Sequence, residues 1–174
     1  MEVGEIEPVL KKTRDGEEMA SAIDIVEFEL DGERYALDIQ LAREIVEMIP
    51  ITPIPRAPAY ISGVINLRGE ITNIMNLNTL LGLPEKEIRD NQKIIVLVPE
   101  AAGGSNVGII VDDVSSVIQV SESDVDKIGA GFSSEFASFV KGIIKMKADE
   151  TEDTKKNLII WLDMEKVIKD LVEK

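Results

Sequence analysis

The sequence predicts a mainly β protein built as two small subdomains, and three observations carry that prediction. Asp31-Gly32 separates the apolar stretches IVEFEL and RYALDI, and Asp-Gly between such runs is a strong signal for a tight hairpin. The apolar runs are short and bounded by turn residues, as strands are. One design also occurs twice. GVINL, ITNIMNL and the start of NTLLGL return near the C-terminus as VKGIIKMK, NLIIWL and DMEKVIKDL. ALDIQLAREIVEM lies over GIIVDDVSSVIQV without a gap, and Asn76 falls opposite Asp163 at a helix start. A module carried twice implies two β units facing one another, a geometry that makes grooves and surfaces more readily than catalytic pockets.

The elements follow in order. Residues 1–22 mix Glu2, Glu5, Glu7, Asp15, Glu17 and Glu18 with Lys11, Lys12 and Arg14 and show no period, so they read as a flexible acidic arm. The Asp31-Gly32 hairpin comes next, and QLAREIVEM turns a corner into another strand. Pro50, Pro53, Pro55 and Pro58 deny backbone donors and favour an extended, irregular connection. GVINL and ITNIMNL form two strands joined at Arg68-Gly69. Asn76 caps a short helix that Gly82 and Pro84 end.

EKEIRDNQ is a polar linker, which places subdomain one at about 23–84 and subdomain two at about 92–174. KIIVLV is almost purely apolar, as a strand buried on both faces is. AAGGSN is a loose turn and VGIIVDDV the return strand. SSVIQV leads into SESDVDKIGAGF, where Ser121 and Ser123 are capping candidates. FVKGIIKMK and NLIIWL flank the charged tip ADETEDTKK. Asp163 caps a final helix, with Met164, Val167, Ile168, Leu171 and Val172 at 3–4 spacing, that packs on the barrels.

Composition narrows the function. The 174 residues contain no Cys and no His. Disulfides, thiolate metal sites and imidazole chemistry are therefore excluded. The net charge of −14 disfavours nucleic acid and anionic membranes, and no useful Lys/Arg run offsets it. No apolar run approaches the roughly 20 residues of a membrane span, and the early acids are unlike a signal peptide. Asp112-Asp113 and Asp163 imitate the acidic pocket of a phosphoreceiver domain, but only 11 residues follow Asp163, too few for the strands such a domain still needs. Asp112 and Asp113 are read instead as strand-end residues. The remaining acids lack a partner His, a phosphate cradle or a calcium-loop spacing, so no catalytic, metal or cofactor site is expected.

GVINLRGEITNIMNL, with FELDGERYALDIQLAREI, ITPIPRAPAYISGVINLRG, VGIIVDDVSSVI, FVKGIIKM and LIIWLDMEKVI, resembles the CheW family across about Val26 to Leu171. The resemblance implies two five-stranded SH3-like barrels and no enzymatic activity. It implies an adaptor that couples methyl-accepting chemoreceptors to the histidine kinase CheA. It also implies a protein of the cytoplasm, recruited to membrane-associated receptor arrays. Two positions depart from the family's habit: Asn76-Leu77-Asn78 stands where Asp-Leu-Arg is common, and Thr72-Asn73 where a proline is common. Carried over by position, Glu44 and Arg68 match charged residues for the receptor's cytoplasmic tip. Ala42, Ile45, Val64 and Val117 are candidates for an apolar lining between the barrels. Lys93, Ile94 and Gly108 match the side presented to the kinase's regulatory domain. The same fold also serves as a domain of longer proteins, the CheA kinase and CheV-type adaptors, and these stand as the competing reading.

Overall fold

The computed structural model describes residues 22–127, 136–146 and 158–172. The expected arm over 1–22 (all but its last residue), the glycine loop after Lys127, the charged tip over 148–156 and the side chains of Leu171 and Val172 lie outside them.

Eleven strands are described. Ile23–Leu30 (β1) and Glu33–Asp38 (β2) form the Asp-Gly hairpin. Asp31 and Gly32 take φ of 54° and 80°, the left-handed region that two-residue hairpin loops require. A 3₁₀ turn at Ile39–Leu41 is the predicted corner into Ala42–Glu47 (β3). Ile61–Leu67 (β4) and Glu70–Asn76 (β5) lead to the helix Leu77–Leu80 (α1), and the Asn76 side chain accepts a bond from the Thr79 N–H at 3.3 Å. Lys93–Leu97 (β6), a 3₁₀ turn at Pro99–Ala102, Val107–Val111 (β7) and Asp113–Val120 (β8) follow. After a 3₁₀ turn at Glu122–Asp124 come Val125–Asp126 (β9), Val140–Lys145 (β10) and Leu158–Leu162 (β11). The helix Met164–Val172 (α2) closes the described chain, with Lys166 N–H bonded to the Asp163 carboxylate at 3.2 Å. Ser121 forms a capping box with Asp124, whereas Ser123 lies inside that turn and caps nothing.

The strands make two sheets, ordered β3-β6-β7-β5-β4 and β8-β1-β2-β11-β10-β9. The second therefore has six strands rather than the expected five, because the two-residue β9 joins its edge. Placed side by side, the orders superimpose strand for strand. β3 matches β8, β6 matches β1, β7 matches β2, β5 matches β11 and β4 matches β10. The parallel pairs β5/β7 and β11/β2 coincide. So do the register shifts at Ile61/Gly63 and Val140/Gly142. The bridge of Thr52 to Val64 corresponds to β9 against β10.

The repeat seen in the sequence is thus present, but the sheets do not divide where the expected subdomains do. The first unit, β1 to α1, places its opening hairpin in the second unit's sheet. The second unit, β6 to α2, places β6 and β7 in the first unit's sheet. The boundary at 84/92 separates the two repeats of the chain; it does not separate the two sheets. The reason is packing: β6 and β7 are apolar on both faces and need a sheet on each side of them, which the other unit's strands supply.

Three apolar clusters result. Ile65, Ile74, Ile94, Val96 and Ile110 fill the first sheet's concave side, and Ile25, Ala36, Val120, Ile144, Ile159 and Trp161 fill the second's. Between the sheets lies the largest cluster, with Val26, Phe28 and Leu37 facing Ile95, Leu97 and Ile109, and with Val167 and Ile168 of α2. The C-terminal helix packs against this central cluster through Met164, Val167 and Ile168.

Candidate functional site

Hydrogen bonding leaves β3 and β4 as opposite edges of the first sheet. Side chains bring those edges together. Arg68, in the β4–β5 turn, forms an ion pair with Glu44 on β3, and Arg43 pairs with Glu70 at 3.3 Å. Val46 of β3 packs in the same cluster as Ile65 and Leu67 of β4. The barrel is therefore closed by charge and apolar contact where its backbone is open.

The Arg68–Glu44 pair is asymmetric. The Glu44 side chain is 4% exposed and that of Arg68 66%. The resemblance placed Glu44 among the charged residues for the receptor's tip, and its sequence setting carries no mark of burial. It is a buried strand residue, because the bulge at Arg43 turns it inward beside Val96. A buried carboxylate costs several kcal/mol unless it is paired, so Glu44 fixes where the Arg68 head sits. Arg68 itself takes φ of 51°, and Asn66 supports the turn by accepting the Gly69 N–H at 2.8 Å. The result is a guanidinium held at the rim of the barrel with most of its surface in water.

The expected apolar lining is only partly assembled. Ala42 is buried in the central cluster and Ile45 packs half-buried against it. Val117 is exposed on β8, the strand equivalent to β3, at the position matching Ile45. These two offer apolar surface on the two matching edge strands. Val64 lies half-buried on β4, paired with Asn73 and bridged to Thr52, on the edge opposite β3.

Two of the residues matched to the kinase side are buried. Ile94 has no exposed surface and fills the first barrel's cluster. Gly108 is buried, and a Cβ there would stand 2.8 Å from Ile94 Cγ2. Lys93 does reach solvent, paired with Glu47 at 2.6 Å. A residue that sequence reasoning missed is Ile71, which is 61% exposed on β5 near the Arg68 turn; its apolar side chain in the polar setting of EIT was the available signal.

Asp112, read as a strand-end acid, holds three groups. Its carboxylate accepts from the Asp31 N–H at 2.8 Å, from Arg89 at 3.1 Å and from Gln92 at 3.0 Å. Asp113 accepts only the neighbouring Val114 N–H at 2.9 Å among the bonds described for it. Among the described residues no group of three or more acids is arranged to hold a metal ion, and no helix is long and apolar enough to cross a membrane.

The family model of the CheW-like domain matches residues 24–172. The chain belongs to the CheW family. It is 31% identical over 151 residues to the chemotaxis protein CheW of Thermotoga maritima, covering 87% of this chain and 91% of that protein. With the CheW of Bacillus subtilis the figures are 33% over 123 residues, 71% and 77%. The crystal structure of the scaffolding protein TtCheW from Thermoanaerobacter tengcongensis superimposes with a TM-score of 0.67 at 30% identity, over 83% of this chain and 86% of that one. The fold class and the resemblance read from GVINLRG are both borne out. CheW proteins are chemotaxis scaffolds.

Proposed function

We propose that this CheW-family chain is a non-enzymatic adaptor that couples methyl-accepting chemoreceptors to the histidine kinase CheA in the cytoplasm, at membrane-associated arrays. The observation that carries the reading is the Arg68–Glu44 pair: a mostly exposed guanidinium whose position is set by a buried carboxylate. Such a fork is suited to orienting a partner's carboxylate or carbonyl groups, and Ile45 and Val117 supply apolar surface of the kind that receives a helical hairpin. The receptor tip contacts Arg68, Ile45 and Val117, with Glu44, Ala42 and Val64 supporting them from within or from the neighbouring edge. The kinase's regulatory domain contacts the side marked by Lys93. Holding both partners on one rigid body lets two modest interfaces reinforce one another.

The test is a pull-down with a cytoplasmic receptor fragment and CheA of the same organism, wild type beside Arg68→Ala. Wild type forms the ternary complex; Arg68→Ala keeps the kinase and loses the receptor. Fluorescence of Trp161, the single tryptophan, verifies that both proteins are folded. If folded wild type binds neither partner, the family membership reports fold alone and this reading fails.

A further inference from the structure

Four strand pairings, two within each sheet, join the first unit to the second. β1 pairs with β8, β3 with β6, β2 with β11 and β5 with β7. None of these four pairings depends on which chain supplies the other unit. The covalent link between the units is one connection, and its residues 84–91 are all exposed. Elements that pair this way through one exposed connection are the raw material of exchange between identical chains.

The connection is fastened at both ends. On the first unit's side Lys86 pairs with Asp31, at the tip of the β1–β2 hairpin. On the second unit's side Arg89 and Gln92 bond to Asp112, between β7 and β8. Asp112 also accepts the Asp31 N–H, so both fastenings sit at one place where the units meet. Lys86 and Arg89 are three residues apart, a span of about 10 Å at most. A chain whose two units sat in different composite bodies could not keep both fastenings. Releasing the Asp112 side frees the stretch from Leu83 to Gln92, about 30 Å when extended.

We propose that two copies of this chain exchange halves across residues 84–91, giving a two-fold dimer in which each barrel pair combines the first unit of one copy with the second unit of the other, and that the Asp112 cluster is the latch holding the closed single-chain form. The exchanged dimer keeps all four inter-unit strand pairings. Its two candidate docking faces are composite: Ile45, Glu44 and Arg68 come from one copy, Val117 and Lys93 from the other. One dimer thus carries two complete sets of docking residues on a jointed body, which raises avidity for a partner presented in multiple copies.

The absence of Cys permits a direct test in the full chain. Glu47 and Lys93 lie directly opposite each other on β3 and β6 and belong to different units. Chains carrying Glu47→Cys alone and Lys93→Cys alone are mixed at high concentration, warmed to the onset of unfolding, cooled and mildly oxidised. A non-reducing gel then shows a cross-linked band at twice the chain mass that requires both variants. Adding Asp112→Ala to both chains raises its yield roughly tenfold, the effect of losing charge-assisted bonds at the latch. The doubly substituted Glu47→Cys/Lys93→Cys chain closes within itself at low concentration and confirms the geometry. Exchange is refuted if the mixed chains give no more cross-link than the mismatched pair Glu47→Cys with Lys145→Cys while the double variant closes. The latch is refuted if Asp112→Ala leaves the yield unchanged.

Discussion

Gly63 is the position where one added carbon should cost most. It takes φ of 147° at the register shift of β4, and a Cβ there would meet the Thr52 carbonyl oxygen at 2.3 Å, Ile51 Cγ2 at 2.7 Å and the Thr52 carbonyl carbon at 2.8 Å. Two of these three atoms are backbone and cannot rotate away. Relieving the contact moves the 51–52 segment outward by roughly 1 Å, which carries both Thr52–Val64 hydrogen bonds past usable length. Each is 2.9 Å long in the native protein. Two lost backbone bonds cost about 2 kcal/mol and the unfavourable φ about 1 kcal/mol more. Gly63→Ala should therefore destabilise by about 3 kcal/mol, lowering Tm by roughly 6–12 °C for a chain of this size. Gly142 is the equivalent residue, but its nearest neighbour is Val125 Cγ1 at 2.5 Å, with backbone no closer than 3.1 Å. A side-chain methyl can turn, so Gly142→Ala should cost only about 1–2 kcal/mol. Thermal unfolding followed by calorimetry gives both values. A Gly63→Ala Tm within 2 °C of wild type, or a larger loss at Gly142, would refute the reasoning.

Three further outcomes follow from the same structure. Arg68→Ala leaves Glu44 buried without that partner and should cost about 1 kcal/mol in urea unfolding, reduced from the fully buried case because Arg68 is mostly solvated; adding Glu44→Gln should recover part of that stability without restoring receptor binding. Asn76→Ala and Asp163→Ala each remove a helix cap and should each cost about 1 kcal/mol by the same assay, with α1 and α2 otherwise retained. Burial, with the Glu33 and Asp31 charges beside it, raises the Tyr35 hydroxyl above its ordinary value of 10.0. The folded state thus holds the proton more tightly than the unfolded one. Stability is fully present below pH 10 and declines as pH rises from there through the raised value. Tyr35→Phe should flatten that alkaline decline, as read from unfolding midpoints between neutral and strongly basic pH.

The strands, the Asp31-Gly32 hairpin, both helix caps and the duplication were legible because each is a local pattern. Asn76 and Asp163 act as the sequence alignment placed them. The exchange of hairpins was not legible, since an apolar strand carries no local mark of which neighbour it pairs with. KIIVLV signals burial on both faces, and Ile94 follows that signal, with no exposed surface. The burial of Glu44 was not legible, because acids belong on surfaces by default and only the bulge at Arg43 and the reach of Arg68 across the barrel make its burial tolerable. Both of those are set by tertiary pairing. Asp112 was placed at a strand end, and what it holds there depends on residues 20 and more positions away in sequence.

The crossing of hairpins between units also constrains the order in which this chain can acquire its structure. During synthesis the β1–β2 hairpin emerges first, yet its neighbours in the sheet are β8 and β11. The first unit's own sheet lacks β6 and β7 until more than half of the chain has left the ribosome. All five strands of the first sheet are present once Val111 has emerged, whereas the second sheet waits for Leu158–Leu162, which arrives almost at the end. The first barrel can therefore close well before the second, and each closes through long-range pairings of the kind that fold in milliseconds to seconds rather than microseconds. Until Leu158–Leu162 arrives the apolar β1–β2 hairpin lacks one of its neighbours in the sheet, and it is there that the nascent chain is most vulnerable to proteases and to other chains.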